Sequence, residues 1–172
     1  MAESRKLLNT LPSQDEMLDS LNALRNAPDH ALAITAAAHL DYVLELLIRN
    51  HISVELTKDE DRRIFDGAAN GILGTAAAKI RIAYAFNIIP KRAYDDLLLI
   101  NSIRNVFAHS LHDVTFSNDL VANDCRKLSV LERRPDMYQD PSKINAREVY
   151  YNNIVDLYMG IQINMRLPEK AI

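Results

Sequence analysis

The chain has 172 residues, of which 48% are apolar and 25% charged, with a formal net charge of -3 and a single cysteine. That length suits one domain burying roughly 70% of its unfolded surface and is short for two. The charge balance excludes the broad basic field of an autonomous nucleic-acid binder, and a lone Cys125 excludes an internal disulfide, argues against a zinc cluster and suits a reducing compartment.

The opening MAESRKLLNT lacks the apolar core of a secretory signal. No apolar run approaches the ~20 residues that span a bilayer, so a soluble, cytoplasmic protein without a membrane segment is expected. Few glycines and apolar residues spaced three and four apart predict an all-α, single-domain bundle over residues 1–172. Ser13 and Glu16 form a capping box for a first helix over 13–26, whose apolar face is Met17, Leu21 and Leu24. Asp29 is the expected N-cap of a second helix over 29–54, with a stripe of Leu40, Leu44, Leu47 and Ile48. Its Ala36-Ala37-Ala38 run suggests close helix packing.

Residues 58–65 predict a short amphipathic helix, followed by DGAANGILGT, whose Asp-Gly and Asn-Gly pairs mark turns. This stretch ends in Gly-Thr where a phosphate loop needs Gly-Lys-Ser/Thr, so it reads as a turn. Thr75 caps a helix over 75–88, and Pro90 opens one over 90–109. Between Thr75 and Arg92 lie Lys79, Arg81, Lys91 and Arg92 with no acid, a candidate anion or partner surface or a plain solvated face. Further helices are expected over 117–129 and 145–166. In the first of these Val121, Cys125 and Leu128 share one face, which makes Cys125 a core residue. In the second, Asn145 and Glu148 resemble a cap pair and Pro168 follows the end.

On the helix over 90–109, Leu97, Ile100, Ile103 and Phe107 fall within roughly 120° of one another, and Arg104 falls inside that stripe. A buried guanidinium needs an anion or a route to water, and Asp41 and Glu45 are the available carboxylates. His109 lies about 140° from Arg104 on an unbroken helix, on a face shared with Ser102 and Asn105. The pair converges only if the helix breaks near Ala108 or if two chains meet. His112 and Asp113 read as a solvated helix end, and no metal or cofactor is expected.

The run FDGAANGILGTAAAKIRIAYAFNIIPKRAYDDLLLINSIRNVFAHS resembles the signature of the mannitol operon repressor (MltR) family. It combines a Gly-rich turn, a helix bearing a basic residue, a short break, and a helix ending in arginine, four residues and histidine. The resemblance implies a helical regulator of sugar-alcohol uptake genes that works through protein partners. The Arg-x4-His element also resembles that of HEPN domains, dimerising bundles that include metal-independent ribonucleases. In that case Arg104 would hold the scissile phosphate, His109 would act as general acid or base, and Asn105 would orient the pair. Both readings stand at this point: a non-enzymatic regulator, or an endoribonuclease acting on RNA. Either is expected as a homodimer, and sequence-specific DNA reading is not, because no exposed basic recognition helix is visible.

Overall fold

The computed structural model describes residues 14–140 and 143–166. Ser13 and Pro168 lie outside these. The described residues form helices α1 (Gln14–Leu24), α2 (Asp29–Arg49), α3 (Lys58–Phe65), α4 (Ala76–Ala85), α5 (Lys91–His109), α6 (Asp119–Cys125), α7 (Val130–Arg133) and α8 (Ala146–Arg166). Single 3-10 turns occupy Gly67–Ala69 and Pro135–Met137, and there is no strand among the described residues. The fold is all-α.

Helix α2 is the axis of the bundle and packs against α1, α4, α5 and α8. Its buried residues, from Leu32 through Ile48, recur at three- and four-residue spacing, which turns one apolar stripe inward. Ala33 and Ala36 are fully buried, and the small side chains let α8 approach until the Tyr150 hydroxyl donates to the Ala33 carbonyl at 3.0 Å. On α5 the expected stripe of Leu97, Ile100, Ile103 and Phe107 is buried. Phe107 meets Phe116 at 4.9 Å between ring centroids, and Phe116 meets Tyr150 at 5.0 Å. These contacts join α5, the loop after it and α8 into the same hydrophobic cluster as α2.

Several expectations need correction. Asp29 does not cap α2: it is the first helical residue, and its carboxylate instead accepts from the Phe116 N–H at 3.0 Å and from Arg147 Nε at 2.9 Å. It thereby ties the start of α2 to the loop after α5 and to α8. Helix α2 stops at Arg49, short of residue 54, where His51 Nδ1 lies 2.8 Å from the Leu47 carbonyl and occupies one of the terminal acceptors. The same helix, 21 residues long, is apolar enough to cross a membrane by length and composition, contrary to the reading of its sequence; here its apolar stripe is spent on the core.

Helix α4 ends at Ala85 because Asn87 adopts the left-handed conformation (φ 56°). Asn87 N–H then bonds the Tyr84 carbonyl and Ile88 N–H the Ala83 carbonyl, the pattern of a Schellman stop. The helix expected over 117–129 spans only Asp119–Cys125 (α6), and the short α7, outside that range, begins after Ser129. That residue gives its N–H to the Asp96 carboxylate at 2.9 Å rather than to a carbonyl four residues back.

Candidate functional site

The glycine-rich turn is built by close backbone approach. Asp66 accepts from the Ala68 N–H at 2.9 Å, and Asn70 takes the left-handed conformation (φ 55°). A Cβ on Gly74 would lie 2.6 Å from the Gly67 Cα, and one on Gly67 would lie 2.7 Å from the Gly74 carbonyl oxygen. The two ends of the turn therefore touch, and only glycine fits at either. Thr75 follows and caps α4 as expected, its hydroxyl accepting from the Ala78 N–H at 3.2 Å.

This arrangement sets the start of α4 opposite the alanines of α2 and the polar end of α5. Between them opens a cleft of about 550 Å³ walled by Ala37, Ala38 and Asp41 of α2, the segment Gly74–Ala77, and Asn101, Arg104 and Asn105 of α5. The two halves of the sequence signature, the glycine turn and the arginine, meet here.

Arg104 is half-buried in this cleft, and its Nη1 donates to Asn105 Oδ1 at 3.1 Å. It makes no ion pair with the described residues. The carboxylates expected to serve it are taken by Lys79, whose ammonium lies 2.9 Å from Asp41 and 2.8 Å from Glu45. Lys79 is only 5% exposed, which removes it from any surface patch. The reason is its position on α4: it shares the inward face with Ile80 and Ala83, so its stem leads directly to α2. Glu45 also receives Arg49, whose guanidinium pairs with Asp61 and stacks 3.8 Å above the Phe65 ring. The other Asp41 oxygen, Oδ1, is buried without a hydrogen-bond partner among the described residues.

His109 is the last residue of α5 and is exposed, with no side-chain hydrogen bond or ion pair to the described residues. Because α5 is unbroken from Lys91 to His109, the histidine stands about 140° around and ~7.5 Å along the axis from Arg104. The two do not converge within one chain. Asn105 is exposed beside Arg104, and His112 and Asp113 are exposed in the following loop.

The basic set is likewise dispersed. Arg81 is exposed on α4 near Tyr84, which stacks on Tyr94 at 4.5 Å. Lys91 pairs with Asp95, whereas Arg92 turns to the other flank of α5 and lines a separate cavity. Cys125 is buried, and burial pushes its thiol up to about 12, which fits a core residue and not a nucleophile.

Two buried polar residues, Asp96 and Asn153, escaped the sequence reading. Asp96 is 2% exposed and accepts from the Ser129 N–H at 2.9 Å and the Ser129 hydroxyl at 2.5 Å, with Arg133 3.8 Å away. The helical-wheel angle that puts Arg104 in the α5 stripe also puts Asp96 there, so the signal was present.

No protein-family model matches the chain, and neither does any curated protein. Two solved structures are similar to it. One is a chain of the MtlR–HPr complex from Escherichia coli, at 19% identity and a TM-score of 0.64, over 86% of this chain and 96% of that one. The other is YggD from Shigella flexneri 2a str. 2457T, described as a possible transcriptional regulator, at 13% identity and a TM-score of 0.62, over 91% of this chain and 98% of that one. The chain therefore shares its helical fold with these two proteins, in line with the resemblance of residues 65–110 to the mannitol operon repressor family.

Proposed function

We propose that the protein is a non-enzymatic regulator, of the kind its sequence resembles, that acts by docking a protein partner rather than by reading DNA directly. The observation that carries this reading is the shared fold with a chain of a complex with HPr, over 86% of this chain and 96% of that one. The geometry of α5 supports it: His109 has no orienting partner and points away from Arg104, which is a poor arrangement for acid-base chemistry inside one chain. The Arg104 cleft supports a partner contact there, because the guanidinium and the Asn101 and Asn105 amides offer donors to an acidic or carbonyl group. Arg81 and the neighbouring Tyr84–Tyr94 stack extend the surface available to such a partner.

Calorimetry with purified Escherichia coli HPr, the partner in the related complex, tests this directly. Saturable binding that Arg104→Glu weakens by tenfold or more supports the reading, the size expected when one charged contact is reversed. A second reading has one observation in its favour: Arg104 has no carboxylate partner, as a phosphate clamp would require, so a two-fold assembly of chains would be needed to bring His109 to it. Single-stranded RNA incubated with the protein in EDTA separates the two. Cleavage by wild type that is lost in a folded His109→Ala variant would overturn the regulator reading in favour of a metal-independent ribonuclease.

A further inference from the structure

A second cavity, on the far side of α5 from the Tyr84–Tyr94 stack, has a composition that restricts what it can hold. It measures about 170 Å³ and is walled by Ile89, Pro90 and Ala93 at the start of α5 and by Leu157, Gly160 and Ile161 of α8. That volume is close to the ~150 Å³ of an apolar cavity that accepts benzene, and well below the ~300 Å³ at which drug-sized sites begin. A group of benzene size fits within it, and the cavity is open to solvent on one side.

The polar groups at its base are already satisfied. Asp96 accepts from Ser129 on both oxygens, with Arg133 3.8 Å away. Arg133 donates to Asp156 at 2.7 Å, to Asn153 at 2.9 Å and to the Ser129 hydroxyl at 3.2 Å, and Asp156 is also held by Arg134. Arg92, exposed at the rim, is different: it makes no hydrogen bond or ion pair with the described residues. The cavity thus asks its ligand for an apolar body and one anionic group.

Gly160 keeps the mouth of the cavity open. The other three glycines of the chain are each required by a backbone contact that a Cβ would violate, whereas a Cβ on Gly160 meets nothing within 4 Å. Glycine inside a helix is destabilising relative to alanine, and no packing within the described chain explains it here. It leaves the α8 backbone bare at the cavity mouth, where a planar or branched ligand can lie against it.

We infer that this cavity binds a small monocarboxylate with a compact aromatic or branched apolar body, the body seated between α5 and α8 and the carboxylate on Arg92. Benzoate is the probe. Methyl NMR spectra of the full chain titrated with benzoate should show saturable shifts confined to Ile89, Leu157 and Ile161, with a Kd of about 1 mM or tighter for a ligand of this size. Arg92→Gln should weaken benzoate about tenfold and leave benzyl alcohol unchanged, so that the acid's advantage over the alcohol disappears. Gly160→Leu, which fills the mouth, should abolish binding without lowering the melting temperature. The inference is overturned by the absence of saturable shifts up to about 10 mM, by shifts scattered away from these methyls, or by wild-type affinity in Arg92→Gln or in a folded Gly160→Leu.

Discussion

Lys79 and Arg104 reach toward α2 from neighbouring helices and end in different environments. The lysine is buried between two carboxylates, and the arginine shares its half-exposed cleft with an asparagine. Lys79→Ala should cost about 2 to 3 kcal/mol in urea unfolding, below the ~3 to 5 of a fully buried broken pair because Asp41 and Glu45 keep partial access to water. Arg104→Ala, which strands no carboxylate, should cost ~1 kcal/mol or less. The reverse order would mean that Arg104, and not Lys79, carries the internal ion pair. His39 is the other residue with a testable burden. Its Nε2 sits 3.4 Å from the Ser20 hydroxyl between α1 and α2, its Nδ1 is buried without a hydrogen-bond partner, and burial lowers its pKa below 6.5. The unfolded chain then binds the proton more readily than the folded one. Stability from this residue is intact above pH 6.5 and is lost as pH falls from there through the lower folded value. His39→Gln should flatten that part of a stability-pH curve, and an unchanged slope would show that the loss originates elsewhere.

At the scale of elements, the turn between α3 and α4 decides where the cleft lies, because its glycines fix how closely α4 starts against α2 and α5. Gly74→Ala puts a methyl 2.6 Å from the Gly67 Cα and should destabilise by about 1 to 3 kcal/mol through forced backbone movement. A variant as stable as wild type in thermal melts would show that the turn has slack. The Asp96–Ser129 contact plays a comparable part on the other side of α5: it ties the start of α7 to α5, while the Val130 N–H on Asn153 and Arg133 on Asp156 hold α7 beside α8.

For the whole molecule, association of two copies decides whether Arg104 and His109 can share one site. A two-fold axis near the end of α5 would bring His109 of one chain to Arg104 of another, and the exposed apolar Val106 and Leu111 flank that face. Light scattering at micromolar concentration should give about twice the 19.5 kDa chain mass. A strict monomer would eliminate any composite Arg104–His109 site and with it the ribonuclease reading.

Local sequence was enough to mark most of the helical segments and the apolar face of each, though not the short α7. Both follow from local rules: the Leu97–Phe107 stripe, the Thr75 cap and the Asn145 cap are set by neighbours within four residues. Helix ends were legible only where a cap is local, and they shifted at Arg49, Ala85 and Cys125: His51 takes a terminal carbonyl of α2, a left-handed asparagine closes α4, and α6 gives way to turns from Lys127 to Asp124 and from Leu128 to Cys125. The candidate cleft was half legible, since the glycine turn and Arg104 were both marked but nothing in the linear pattern said that they meet. Tertiary structure alone decided which cation takes Asp41 and Glu45. Periodicity fixes the direction of a side chain around its own helix, not the distance to the next one, and a 2.8 Å contact between Lys79 and Glu45 depends on how α4 is set against α2.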